Sequence, residues 1–365
     1  MKRLRIGVGV CMALFGSILA LVWPSFGKEP SAAHRELLTS SPNWDAKTQR
    51  FVNRRQAEYD EMQKNFDFPA LIKKQIFGRE ERVPKRVLPT ELPKWEAWEQ
   101  QTDLQYIWLG HSTILLRLEG QNILFDPVFG NAAPIPFAVS RFQKPVVSLN
   151  DLPPIDVVVI SHDHYDHLSK DAVQFFADKD TRFLVPLGVS SYLVGWGISE
   201  ERITELDWWD EMETDGLTFA CTPSQHFSGR RGPYGNQTLW ASWVLKSQSE
   251  SVYFSGDSGY DIHFRQIGEK YGPFDITFME NGQYNQIWPL THLFPEEAVQ
   301  AHVELRGKRL QPIHWGAFKL STHDWNEPVK RTLAASEEKD VAVLLPKQGE
   351  CVHVQEGLVS DRWWE

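Results

Sequence analysis

Between residues 161 and 168 the chain reads SHDHYDHL, three histidines and two aspartates in eight positions, directly after the apolar run IDVVVI. Such a run reads as a buried strand, so these ionisable side chains crowd the place where a strand leaves the core. His162 and His164 are two apart, and Asp166 and His167 follow at four and five. On the turn after a strand they can point into a common space. Imidazole together with carboxylate suits borderline and harder divalent metals, and no paired cysteine is present to build a thiolate-rich structural zinc site. A lone histidine here would read as a satisfied core or surface residue. Four candidate ligands within six residues read as a metal site.

Further candidates stand at the ends of later apolar runs: His226 in TPSQHFSGR, Asp257 in YFSGDSGY and His314 in PIHWGAF. Each alone could be structural. Together they bring ligands from separate strand ends, which is how a site is assembled on a rigid sheet. His111, after Gly110, reads as a residue behind the ligands rather than one of them. His263, His302, His323 and His353 carry no motif.

The elements that must position these residues begin at about residue 104. LQYIWLG, TILLRLEG and QNILFDPVF read as strands of a hairpin-rich sheet, followed by the strand IDVVVI and the helix SKDAVQFFADK with Ser169 as its cap. Then come the strand TRFLVP, the helix GVSSYLVGWG, strands at RITELD, LTFACTPS, TLWASWVLKS and SVYFSGDSG, and the helix YDIHFRQIGEKYG. The strand DITFMEN, the helix PEEAVQAHVELRG, the strand RLQPIHW and a terminal strand over VAVLLPKQGECVHV complete the series. Strands and helices mix without strict alternation, which favours a layered α/β sandwich over a parallel barrel or a doubly wound sheet.

Residues 28–103 are polar and rich in proline and charge, with a helical pattern over KTQRFVNRRQAEYDEMQKNF, and read as an arm laid over the main domain. Ahead of it, MKRLR precedes 22 uncharged residues, IGVGVCMALFGSILALVWPSFG. That run is long enough to cross a bilayer, so residues 1–27 are expected to act as an uncleaved anchor or, alternatively, a cleaved signal peptide, with a buried helix of a soluble protein as the remaining reading. The flanking positive charges place the N-terminus in the cytoplasm and the remainder outside it.

With 365 residues, 42% hydrophobic and 24% charged, the chain can build an ordinary core. Its net charge of −10 argues against a nucleic-acid surface, because neutralising phosphates takes a clustered excess of Lys and Arg. Cys11, Cys221 and Cys351 cannot make a disulfide framework; Cys221 and Cys351 read most simply as free thiols, with a single bridge between them as the alternative. The tryptophans at 208, 209 and 288 could pack the core or line an acyl groove. Trp363 and Trp364 at the extreme C-terminus read as exposed aromatics of the kind favoured at membrane interfaces.

The HxHxDH pattern of His162, His164, Asp166 and His167 resembles the hallmark of the metallo-β-lactamase superfamily, over roughly residues 104–353. The stretches WLGHST, DPVF, LPPIDVVVISHDHYDHL, VPLG, ELDWW, TPSQH, GDSGY, GPFD, PEEAVQAH and IHWGAF, in order, are similar to the branch of phospholipases D that hydrolyse N-acylphosphatidylethanolamine. The resemblance implies an αββα sandwich over 104–365 behind an N-terminal extension, and two zinc ions. One would take His162, His164 and His226, the other Asp166, His167 and His314, with Asp257 bridging. His292, in LTHLFPEEAV, matches a histidine near the site; it is expected to contact substrate or leaving group, with a role in leading the chain into a helix as the alternative. Asp166, Asp257 and His292 are therefore the candidate catalytic residues.

Two metals about 3.5–4 Å apart lower the pKa of water to about 7 and offset charge at phosphorus. The expected reaction is release of N-acylethanolamine and phosphatidic acid from a membrane phospholipid, by a chain that is membrane-associated or exported and has room for a homodimeric partner. A metal-dependent lactonase or another phosphodiesterase is the rival, since the hallmark fixes the metal chemistry and not the scissile bond. A non-catalytic membrane-anchored binding protein is a third reading, and its expected sign would be a broken ligand set.

Overall fold

A computed structural model describes residues 16–17, 19–135, 138–232, 235–358 and 361–365. The expected anchor or signal falls largely on residues 1–15 and 18, outside the described residues. Among the described residues no helix is long and apolar enough to cross a membrane.

The arm comes first. It contains α1 (Ala32–Ser40), the two-residue strands β1 (Trp44–Asp45) and β2 (Arg50–Phe51), then α2 (Gln56–Lys64), α3 (Phe68–Phe77) and α4 (Trp95–Gln100). The helical pattern over 47–66 starts later than its periodicity suggests. Phe51 is fully buried among Trp44, Leu187 and Trp240, and Asn53 donates to the His226 carbonyl at 2.7 Å. Both contacts need an extended chain, so the helix opens only at Gln56.

The arm is fastened at α1 by His34, whose Nε2 lies 2.6 Å from Glu205. That hydrogen bond, opposed by partial burial, raises the His34 pKa. A raised folded pKa means the pairing stabilises fully below the ordinary value of about 6.5 and is lost as pH rises through the folded one. Wild type is accordingly expected to exceed His34→Gln in stability by about 0.2–1 kcal/mol in mild acid, with the gap closing in mild alkali. Thermal unfolding of both proteins across that range checks it.

Two seven-stranded sheets follow. The first holds β3 (Gln105–Trp108), β4 (Ile114–Leu118), β5 (Gln121–Phe125) and β6 (Val157–Val159), then α5 (Lys170–Phe175), β7 (Arg182–Pro186), α6 (Ser190–Gly195) and β8 (Ile203–Leu206). The second begins with β9 (Glu211–Thr214), β10 (Leu217–Thr222), β11 (Ser242–Lys246) and β12 (Ser251–Phe254). It continues through α7 (His263–Tyr271), β13 (Ile276–Glu280), α8 (Pro295–Glu304), β14 (Arg309–Ile313), α9 (Glu327–Lys339) and β15 (Ala342–Val343). The last strand, β16 (Cys351–His353), returns to the first sheet beside β3. In each sheet an antiparallel half passes into a parallel half, at β5–β6 and at β12–β13.

Alternate residues of each strand face opposite sides, and the apolar pattern uses both. Ile114, Leu116, Ile123, Phe125, Val157 and Val159 meet Phe219, Trp243, Leu245, Phe254 and Phe278 between the sheets. Leu115, Leu124, Val158 and Phe183 face outward under Val173 and Leu193 of α5 and α6. Ala220, Val244, Tyr253 and Met279 lie under α7 and α8. The result is the expected αββα sandwich.

Two expectations change. The terminal apolar stretch 341–354 is not one strand: Ala342–Val343 joins the second sheet, and Cys351–His353 the first, across a loop holding Pro346 and Gly349. Trp363 and Trp364 are buried rather than displayed, and Trp315 stacks on Trp108 and Trp363 at centroid distances of 5.5 and 5.3 Å. The C-terminus thus plugs the sandwich, where large aromatic area is worth more than at the surface. Of the other tryptophans, Trp208 packs against the core and Trp209 is exposed. Cys221 and Cys351 are both free thiols.

Candidate metal centre

The seven candidate ligands come together at the carboxyl ends of the strands, where open α/β sheets place their sites. The SHDHYDH loop follows β6, His226 follows β10, Asp257 follows β12 and His314 follows β14. His162 Nε2 and His226 Nε2 lie 2.9 and 3.2 Å from His164 Nδ1. Asp257 is central. Its Oδ2 stands 3.1 Å from His167 Nε2, 3.3 Å from His314 Nε2, 3.7 Å from His226 Nε2 and 3.8 Å from His162 Nε2.

Two groups of donors result, His162, His164, His226 and Asp257 in one, and His111, Asp166, His167 and His314 in the other, each with its donor atoms within 4.8 Å of one another. His111 Nε2 is 2.9 Å from Asp166 Oδ2, as a residue behind the ligands would be, and its nitrogen also falls within the second donor group. His292 Nδ1 is 3.9 Å from Asp257 and 3.1 Å from Glu280, on the wall of the site. It also forms a donor group with Asp257 and His314.

The residues fit a cation on two physical grounds. On three of the rings the outward nitrogen has a partner, leaving the inward one to bind. His167 Nδ1 pairs with Asp126 at 2.7 Å, His162 Nδ1 with Ser161 at 2.9 Å and His226 Nδ1 with the Thr291 carbonyl at 3.0 Å. Such outer partners fix the ring orientation of metal-binding histidines. Within the site, His167 Nε2 and Asp257 Oδ1 are buried without hydrogen-bond partners. The electrostatics agree. Burial drives His162 and His226 well below the usual histidine range. At His167 and His314 burial pulls the same way but is outweighed, first by Asp257, which lifts His314 to about 9. The carboxylates thus demand positive charge between them, and a divalent cation meets that demand.

Asp126, Glu280 and Arg230 were not foreseen as parts of the site. Asp126 is fully buried and accepts from Ser161 N and Oγ as well as pairing with His167. Glu280 accepts from Leu293 N at 3.0 Å and faces both His292 and His314. The buried Arg230 guanidinium donates to the Asp163 and Leu168 carbonyls and lies over the Tyr165 ring, holding the histidine loop from outside. A lone carboxylate at a strand end, or one arginine in SGRRG, gives no local pattern to read. Asp126→Asn keeps the shape but weakens the acceptor for His167, and activity and metal affinity are expected to fall about 10–100-fold. Titration of the metal-free variant beside wild type measures it.

The site opens into a cavity of about 390 Å³ whose walls include Phe66, Phe227, Trp288, Leu320 and Gln283. Phe66, from the arm, stacks on Trp288 with rings 14° from parallel. Of the tryptophans read as core or groove, Trp288 therefore lines the cavity at the site. A larger cavity of about 490 Å³ lies elsewhere, between α1 and α6, and holds none of the metal-ligand candidates.

A two-sheet sandwich with a His/Asp cradle at its strand ends defines a metal-dependent hydrolase architecture. The family model of the beta-lactamase superfamily domain matches residues 121–315. An N-acyl-phosphatidylethanolamine-hydrolyzing phospholipase D of Caenorhabditis elegans is 35% identical over 290 residues, 73% of this chain and 81% of its own. An uncharacterized protein of Mycobacterium tuberculosis is 45% identical over 263 residues, 70% of each chain. A metallo hydrolase from Ignicoccus hospitalis superposes with a TM-score of 0.53 at 22% identity, covering 68% of this chain and 97% of its own, a likeness of fold alone. The chain belongs to the metallo-β-lactamase superfamily, within the branch that contains the N-acylphosphatidylethanolamine-hydrolysing phospholipases D.

Proposed function

We propose that this hydrolase cleaves the phosphodiester bond of an N-acylated phosphatidylethanolamine, releasing phosphatidic acid and N-acylethanolamine. The observation that carries the reading is the union of the His/Asp cradle with an aromatic-walled cavity, in a chain 35% identical to a phospholipase D named for that lipid. His162, His164 and His226 would hold one zinc ion, Asp166, His167 and His314 the other, and Asp257 would share its carboxylate between them. Two divalent cations held there supply a water activated at neutral pH and charge stabilisation at phosphorus.

The chain's own residues do the rest. Asp257 sets the spacing of the two donor groups. Phe66, Phe227 and Trp288 give the acyl chains an apolar wall and keep bulk water from the reacting phosphate. The water oxygen bonds to phosphorus, the bond from phosphorus to the ethanolamine oxygen breaks, and that oxygen leaves with a proton; His292, beside Glu280, is placed to hold the proton. We assign the chain to a membrane or exported location on the strength of MKRLR and the uncharged run behind it.

Metal-loaded protein tested on an N-acylated phospholipid, a lactone and a soluble phosphodiester is expected to prefer the first. Efficient lactone opening with no phosphatidic acid released would replace this reading with the lactonase one.

A further inference from the structure

Helix α3 does something the fold does not require. None of its residues is buried, and Phe68, Ile72, Ile76 and Phe77 are 59, 38, 66 and 74% exposed. Phe68, Ile72 and Ile76 are spaced by four, so they stack along one side of the helix. Ala70 and Lys74 lean the other way, over a cavity of about 400 Å³ shared with Tyr284 and Ile287 of the main domain. An apolar stripe turned outward on a surface helix is the reverse of what a soluble domain builds, and contiguous exposed apolar surface marks a contact.

We infer that α3 is the surface by which the chain lies on a lipid bilayer, with Phe68, Ile72 and Ile76 entering the headgroup–acyl boundary. The inference rests on the phospholipid reading and deepens it, by stating how the cavity meets its substrate. Two observations select a bilayer. The helix carries no acid and leaves Lys73 exposed, in a chain of net charge −10, which complements lipid phosphates. It is also continuous with the site: only Asn65, Phe66 and Asp67 separate it from α2, and Gln63 and Phe66 line the metal-site cavity. A second copy of the chain fits less well, because a two-fold contact through this face brings like lysines together.

The test uses the full chain. Ile76→Cys in a Cys11→Ser background, labelled with bimane, is mixed with phosphatidylcholine vesicles carrying a nitroxide high on the acyl chain; Cys221 is buried and Cys351 half-buried. Quenching of about twofold or more is expected from insertion to the depth of an interfacial helix. No quenching would overturn the inference whether or not the protein cleaves lipid, so its failure is separable from failure of the phospholipase reading.

In parallel, the triple variant Phe68→Gln/Ile72→Gln/Ile76→Gln is assayed on vesicles containing N-acylated phosphatidylethanolamine and on a short-chain monomeric analogue. A loss of about tenfold or more on vesicles is expected, with less than about twofold on the monomer, because only the interfacial step loses apolar area. Equal losses on both, or none on either, contradict it. So does an unquenched label in a chain that the triple substitution turns from dimer to monomer, which would assign the face to a second copy.

Discussion

Asp257→Ala is expected to lower lipid hydrolysis by on the order of 10³-fold, about 4 kcal/mol of barrier, and to reduce bound metal in the same preparation. The size of the effect follows from where the carboxylate sits. One oxygen lies within 3.8 Å of ring nitrogens on His162, His167, His226 and His314, and the group is buried. Removing it leaves imidazoles from both donor groups facing one another with no shared anion. Two cations held there, as proposed, would lose both a ligand and part of the charge that offsets their repulsion. Elemental analysis and rate, measured on the same sample, check the result. Retention of full metal content and full activity would show that the bridge has been assigned to the wrong residue.

Asp166→Ala is expected to cost nearly as much, on the order of 10²–10³-fold, whereas His292→Ala should cost about tenfold. Asp166 Oδ2 lies 2.9 Å from His111, 3.3 Å from His314 and 3.6 Å from His167, so it organises three rings at once. Burial alone would raise its pKa, but His167 and the hydrogen bonds from His111 and His314 hold it well below the usual carboxylate range. It therefore stays ionised throughout any pH range in which the histidines can bind metal. In the proposed reading His292 serves the wall and the leaving oxygen, and its loss leaves both four-membered donor groups complete. Parallel determination of kcat, KM and metal content separates the cases: Asp166→Ala loses metal and kcat together, and His292→Ala keeps its metal.

How much of this was legible depended on whether the information is local. The SHDHYDHL loop announces itself because its ligands are neighbours on one turn, whereas His226, Asp257 and His314 become convincing only as a set at successive strand ends. Asp126 and Glu280 escaped because each is one carboxylate whose partners are distant in the chain; Asp126 meets His167 across 41 positions. The sandwich was legible from alternating apolar runs. Its closing elements were less so. The helix over Glu327–Lys339 was not among the expected elements, and its apolar positions are thinly spread among Lys, Arg and Glu. The split of 341–354 between two sheets, and the burial of Trp363 and Trp364, are decided by long-range packing against Trp108 and Trp315 that no short window contains.

The most direct measurement is hydrolysis of N-acylated phosphatidylethanolamine by the metal-loaded chain in water enriched in oxygen-18. Attack of water at phosphorus places one labelled oxygen in the phosphate of phosphatidic acid and none in N-acylethanolamine, and that is the distribution the account predicts. Label in the N-acylethanolamine hydroxyl, or failure to release either product, would contradict it.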